Sequence, residues 1–216
     1  MRLRNIKGAN EAVISSPYVL ADYNNYKGNF KSIFKNNNPI HLEIGTGKGD
    51  FIIGMALKYP DINFIGVEKY ASVLYKLIGK LKDKEIPNLK IIMMDAIDIE
   101  NVFEHEVDTL YLNFSDPWPK ERHYKRRLTS TEFLKRYENI FRGDNHIIQK
   151  TDNRGLFEFS VKEFVNNNYV IDDISLNLHE DNPKDNVETE YEHKFSQKGN
   201  PIYKVEVHKS FTSHLQ

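Results

Sequence analysis

The residues best suited to chemistry lie in one stretch, NFSDPWPKERHYKRR, Asn113 to Arg127. An apolar run, VDTLYLNF, ends in Asp116-Pro117-Trp118-Pro119, and Lys120, Arg122, Lys125, Arg126 and Arg127 follow with only Glu121 against them. A carboxylate and an aromatic ring at a strand exit suit a small-molecule reaction centre. A basic block beside them suits a substrate that carries phosphates. Basic clusters are usually solvated surface, but the adjoining Ser115-Asp116-Pro117-Trp118 turns the reading toward RNA. Pro117 and Pro119 stiffen the support of Asp116 and Trp118.

A second set of acids points to the other reactant. Four expected strands finish in or beside a carboxylate: Glu43, Glu68, Asp95 and Asp116. Ligands of open parallel sheets bind at the carboxyl ends of the strands, so this series should line a negative cleft. Gly45, Gly47 and Gly49 form G-x-G-x-G between a strand and a helix, which lets a ligand approach the backbone closely. A dinucleotide fingerprint, G-x-G-x-x-G, would need glycine at position 50, where Asp50 stands. Glu43 and Asp50 around one turn would repel a pyrophosphate. They favour a ligand with cationic groups and no phosphate, and S-adenosyl-L-methionine carries an ammonium and a sulfonium. Glu68 is spaced to accept from ribose hydroxyls, and Asp95 to meet the adenine amino group.

The elements that must position these residues alternate. Strands are expected at 40–44, 63–68, 90–95, 107–114 and 146–152, with helices near 50–60, 71–84, 129–141 and 154–167. In the second helix Val73, Leu74, Leu77, Ile78 and Leu81 form an apolar stripe opposite lysines. Thr129 or Ser130 is the expected N-cap of the third, with Glu132 near the capping-box position. YVIDDISLNL and PIYKVEVHK read as two further strands with no helix between them. The pattern is an α/β parallel sheet covered on both faces, with an antiparallel C-terminal edge. Residues 1–38 read as an irregular extension, basic at Arg2, Arg4 and Lys7, and either RNA-contacting or partly disordered. Residues 179–200 read as a long polar loop.

Bulk composition narrows the classes. The net charge of −1 gives no global attraction to nucleic acid, so any such binding rests on a local patch. The chain has no cysteine, which removes disulfides, thiolate metal sites and cysteine nucleophiles. Its eight histidines show no metal-ligand spacing, so no metal is expected. No apolar run approaches the roughly 20 residues of a spanning helix, and a cytoplasmic, soluble protein without a membrane partner is expected.

LEIGTGKGDF, GVEKY, NFSDPWPKERHYKRR, TDN and TEYEHKFSQKGNPIYK together resemble the bacterial tRNA (guanine-N7)-methyltransferase family, from about residue 40 to residue 205. The resemblance implies one Rossmann-like class I methyltransferase domain over residues 39–216, built on a seven-stranded sheet. It implies S-adenosyl-L-methionine as donor and a guanine of the tRNA variable loop as acceptor. On this chain the cofactor side would be Glu43, Gly45, Gly47, Gly49, Glu68, Asp95 and Asp116, with Asp116 also the candidate catalytic residue. Lys120, Asp152, Thr189, Glu190, Tyr191 and Glu192 would contact the target base. Arg122, His123, Tyr124, Lys125, Arg126 and Arg127 would contact RNA, the enzyme acting as a monomer or homodimer.

That reaction suits the residues. Guanine N7 has an in-plane lone pair and no proton, so it needs neither a covalent intermediate nor an obligatory base. Missing cysteine argues instead against pyrimidine C5 methylation, which runs through a thiolate adduct. Trp118, Tyr124 and Tyr191 offer stacking faces, worth about 1–3 kcal/mol per base. Lys120 would serve guanine O6 or a nearby phosphate, leaving N7 free. Asp152-Asn153 also stands where a helix N-cap belongs. Two rivals keep the fold: an amino-methyltransferase acting on a base or protein amide, since SDPW loosely matches Asp-Pro-Pro-Tyr, and a non-catalytic RNA-binding protein. A nicotinamide oxidoreductase is disfavoured by Asp50.

Overall fold

The computed structural model describes residues 6–181, 186–196 and 199–210, without the side chains of Glu190, Lys194 and Phe195. Arg2, Arg4 and part of the polar stretch at 179–200 lie outside the described residues. Among these residues the elements run α1 (Ala9–Ile14), α2 (Lys31–Phe34), β1 (Ile40–Ile44), α3 (Asp50–Lys58), β2 (Asn63–Glu68), α4 (Ala71–Leu81), β3 (Leu89–Met93) and α5 (Ile99–Val102). They continue with β4 (Thr109–Asn113), α6 (Thr131–Glu138), β5 (Asn145–Thr151), α7 (Arg154–Asn166), β6 (Val170–Ser175), α8 (Leu178–Asp181), α9 (Glu190–Ser196) and β7 (Tyr203–Lys209).

The seven strands form one sheet in the order β3-β2-β1-β4-β5-β7-β6. β1 to β5 are parallel to one another, and β7 runs antiparallel between β5 and β6. This is the Rossmann-like α/β arrangement expected of the sequence, with its antiparallel edge. The parallel strands read as unbroken apolar runs because both faces are covered. On one face Leu42, Ile65, Leu110, Ile147 and Val205 pack under α5, α6 and α7. On the other Phe64, Ile91 and Tyr111 pack under Val13 of α1, Phe51 and Ile52 of α3, and Leu74 and Leu77 of α4. No helix among the described residues is long and apolar enough to cross a membrane.

Residues 6–38, turn-rich in composition, pack as two short helices and a 3-10 turn at Tyr23–Tyr26. Val13 and Phe30 are fully buried, and Val19 bridges to Ile91 of β3. Buried Glu106 ties this segment down by accepting the backbone N–H groups of Gly28 at 2.9 Å and Phe30 at 2.9 Å. Satisfying otherwise orphaned amides is what lets a loop-like sequence lie against the core.

Three local expectations need correction. α4 ends at Leu81, short of Lys84, where Asp83 takes a left-handed φ of 62°. Ser130 stands at the start of α6 but makes no capping bond; its hydroxyl donates to the Lys125 carbonyl, and Glu132 pairs with Lys125 at 2.9 Å instead of closing a capping box. The stretch 179–200 is not loop throughout, because Glu190–Ser196 form α9, whose first turn is capped by Thr189 Oγ1 accepting from the Glu192 N–H at 2.8 Å.

Candidate active site

Strand order reverses between β1 and β4, so the crevice of the sheet opens beyond their carboxyl ends. The four acids of the series sit on that edge. Glu43, next to last in β1, is almost wholly buried, and its Oε1 accepts from Asn113 Nδ2 of β4 at 2.8 Å. Its Oε2 has no partner. Burial holds this carboxyl up at about 8, although the Asn113 bond and the Lys150 charge oppose the rise. Glu68 closes β2 and accepts from the amides of Gly47 at 3.2 Å, Lys69 at 2.8 Å and Tyr70 at 3.1 Å. Burial raises its pKa despite those three bonds, and the negative charge of Asp116 raises it further. The structure therefore brings Glu43, Glu68 and Asp116 into one electrostatic field. Asp95 stands at the edge of this group: it pairs with Lys69 Nζ at 2.5 Å, which lowers its pKa, and caps the following turn through Ile97 N–H.

The glycines between β1 and α3 divide by role. Gly45, Gly47 and Gly49 all take positive φ, 81°, 56° and 83°. A Cβ on Gly45 would meet no atom within 4 Å, so its side faces open space. A Cβ on Gly49 would stand 2.5 Å from Leu77 Cγ, so here glycine also lets α3 pack on α4. Beneath the loop, a Cβ on Gly66 of β2 would stand 2.6 Å from Thr46 Cγ2. Like Glu43 Oε2, the buried Thr46 Oγ1 lacks a partner. An open glycine cradle with unpartnered acceptors at its floor fits a ligand that brings cationic donors, and does not fit a pyrophosphate.

After β4 the chain makes a strained turn around Asp116. Phe114 and Trp118, on either side of it, take φ of 51° and 41°. For bulky side chains such conformations cost about 1–3 kcal/mol each and persist only where the surroundings dictate them. Asp116 itself is exposed and makes no hydrogen bond or ion pair among the described residues. The Trp118 ring meets His123 edge-on at 5.7 Å and lies under the Arg126 guanidinium at 4.9 Å.

The basic segment is a 3-10 turn, Glu121–Arg126, with Arg122, Tyr124, Lys125 and Arg126 exposed and His123 half-buried. Lys120 before it is exposed as well. Arg127 differs from its neighbours: Nε donates to the Pro117 carbonyl at 3.0 Å, Nη2 to the Trp118 carbonyl at 3.1 Å, and the guanidinium lies 4.3 Å from the Phe159 ring centre.

The remaining candidates gather at the end of β5. Asn153, not Asp152, caps α7, accepting from Leu156 N–H at 2.8 Å. Asp152 is left to accept from the Tyr191 hydroxyl at 3.4 Å, and the Tyr191 ring packs 5.1 Å from Phe114. The side chain of Glu190 lies outside the described residues. Thr189 serves as the cap of α9. Glu192 is fully buried, and its Oε2 accepts from Lys150 Nζ at 3.0 Å. Lys150 also donates to Asn186 Oδ1 at 2.7 Å and the Val187 carbonyl at 2.9 Å, with burial lowering its pKa. Thus Asp152, Tyr191 and Phe114 meet beside the Asp116 turn, while Glu192 points inward.

Sequence reasoning missed Lys150, Asn113 and Lys69. The first two had a signal: a lysine and an asparagine inside apolar strands must find partners when buried. Lys69 had none, being one of many exposed lysines.

Several known proteins are similar to this chain. A family model described as "Putative methyltransferase" matches residues 37–205. Proteins named tRNA (guanine-N(7)-)-methyltransferase are similar over nearly their whole length. The one from Bacillus licheniformis is 49% identical over 208 residues, covering 95% of this chain and 98% of the relative. That of Bacillus subtilis is 48% identical over 209 residues, covering 96% and 98%, and that of Streptococcus pyogenes 49% over 208, covering 95% and 99%. Among solved structures, an antibiotic-related methyltransferase superposes with a TM-score of 0.64 at 16% identity, covering 85% of this chain and 94% of its own. A 16S rRNA (adenine(1408)-N(1))-methyltransferase from Catenulisporales acidiphilia, solved with its cosubstrate SAM, gives 0.63 at 11% identity, covering 91% and 94%. At such identities these structures share the fold alone.

Proposed function

We infer that this chain, which belongs to the bacterial tRNA (guanine-N7-)-methyltransferase family, transfers a methyl group from S-adenosyl-L-methionine to N7 of a guanine in tRNA. It is an S-adenosylmethionine-dependent enzyme of tRNA modification. The variable loop as the target and the cytoplasm as the place of work follow from the same family reading. The observation that carries it is the meeting, at one sheet edge, of a cleft lined by three carboxyl groups (Glu43, Glu68, Asp116) with an exposed basic turn at residues 120–126.

The residues present fit the cofactor. Glu43, with its unpartnered Oε2, would face a cationic group. Glu68 has acceptor capacity beyond its three amides for ribose hydroxyls, and Gly45 and Gly47 leave room for close approach. Asp95 would meet the adenine side. When bound, S-adenosyl-L-methionine supplies an electrophilic methyl on a sulfonium. The chain's own part is positioning and electrostatics. Asp116, exposed and unpaired, would stabilise the positive charge that grows on the purine and accept from the guanine edge. Tyr191, Phe114 and Asp152 would form one wall of the base site. Lys120 would donate to O6 or a phosphate, leaving N7 free. Arg122, His123, Tyr124, Lys125 and Arg126 would follow the RNA backbone.

Incubation with methyl-labelled S-adenosylmethionine and unmodified tRNA, followed by nucleoside analysis, tests the reading. Labelled N7-methylguanosine is expected; label on adenosine or on protein would transfer the chain to the amino-methyltransferase alternative.

A further inference from the structure

Arg127 belongs by sequence to the basic run, yet its guanidinium is turned away from solvent. Two of its donors hold consecutive carbonyls, Pro117 O at 3.0 Å and Trp118 O at 3.1 Å. One face of the ion is packed on Phe159 of α7 at 4.3 Å. The carbonyls it grips belong to the turn in which Trp118 takes φ of 41° immediately before Pro119. An aromatic residue preceding proline is disfavoured in the helical regions, on the left-handed side above all. Such a residue stays there only if something outside the turn holds it. The planar fork of an arginine matches two neighbouring oxygens in a way that a lysine cannot.

We propose that Arg127 is a positioning residue for methyl transfer: it clamps the 117–118 carbonyls against α7, and so fixes the direction of Asp116, instead of pairing with RNA phosphate. The proposal rests on the methyltransferase reading and adds to it a division of labour within the basic run. Arg126, over the exposed face of Trp118, stays on the RNA side; Arg127 works on the protein side.

Trp118 is the only tryptophan of the chain, so its emission reports this turn alone. The experiment compares wild type, Arg127→Lys and Arg127→Gln in three measurements: tryptophan emission, steady-state kinetics with S-adenosylmethionine and tRNA, and the salt dependence of tRNA binding. Arg127→Lys keeps the charge and loses the fork. Its kcat is expected to fall on the order of 10- to 100-fold, with both KM values within about twofold and a shifted Trp118 emission. Arg127→Gln is expected to leave the slope of log K against log salt unchanged, whereas loss of a phosphate contact would lower it by about 0.7–0.9. Unaltered emission and kcat in the lysine variant, or a reduced slope in the glutamine variant, would overturn the clamp. Should wild type form no N7-methylguanosine, the functional reading fails; emission and salt slope still decide the clamp.

Discussion

Glu43→Gln separates what a buried carboxyl does to the fold from what it does for the cofactor. Glu43 is 2% exposed, and burial holds its pKa near 8 against an ordinary 4.5. A carboxyl with a raised folded pKa takes up a proton on folding wherever the unfolded chain has already lost it. Its contribution to stability is therefore intact below pH 4.5 and is lost as pH rises, fully so above 8. At about 1.4 kcal/mol per pH unit, the loss reaches about 2 kcal/mol at pH 6 and about 5 kcal/mol at pH 8 and beyond. Glutamine keeps an oxygen for Asn113 Nδ2 and has no proton to exchange. The variant should match wild type at pH 4.5 and exceed it by a margin that grows to a plateau near pH 8. Urea unfolding in steps between pH 4.5 and 9 reads that margin directly.

The same substitution should weaken the cofactor. A cation lodged beside Oε2 drives Glu43 to ionise, so at pH 7 wild type should release close to one proton on binding S-adenosylmethionine. Calorimetry in two buffers of different ionisation enthalpy counts that proton. The glutamine variant should bind more weakly and release none. A flat stability difference across pH would mean that the carboxyl is already charged in the fold. Proton-neutral binding by wild type would mean that Glu43 does not face the cation, and the account of the cleft floor would be lost.

Three other perturbations discriminate among roles. Asp116→Asn removes the unpaired carboxylate at little structural cost; turnover should drop on the order of 100-fold while the filter-binding Kd for tRNA stays within about twofold, and a parallel loss of both would make Asp116 a binding residue only. Gly49→Ala forces a left-handed alanine into Leu77, and should lose about 2–4 kcal/mol in urea unfolding; an unchanged midpoint would show that α4 yields freely. Lys150→Met leaves Glu192 buried without its cation and should lose about 3–5 kcal/mol, most of which Lys150→Met with Glu192→Met should recover, as read by thermal melts. If the double variant regains stability but no activity, Glu192 serves the base and not merely the anchor.

Strand ends were legible because parallel sheets are simple in one dimension. Each apolar run such as Ile40–Ile44 or Asn63–Glu68 must be a buried strand, and such strands deliver their last residues to one edge. Glu43, Glu68 and Asp116 thus group together from sequence alone, although their carboxyl groups meet only in space. The glycine loop was legible in kind but not in detail: sequence shows three glycines alike, whereas Gly45 faces open space and Gly49 faces Leu77. α9 was hidden because its buried Glu192 is matched by Lys150 of β5, a partner remote in the chain.

The sharpest lesson lies in two adjacent arginines. Arg126 and Arg127 are identical in type, consecutive, and inseparable by charge pattern. One covers the Trp118 ring from the solvent side; the other reaches back to the carbonyls of residues 117 and 118 and rests on Phe159, 32 positions further along. Glu192 repeats the case for acids, buried against Lys150 while Asp116 remains exposed. Residue type supplies the inventory of charge that a reaction on RNA requires. Which charges meet the substrate and which hold the turn that meets it depends on tertiary partners, because a charge withdrawn from water must be paired inside the protein. Burial with a partner is thus the test that assigns each charged residue of this site to scaffold or to chemistry.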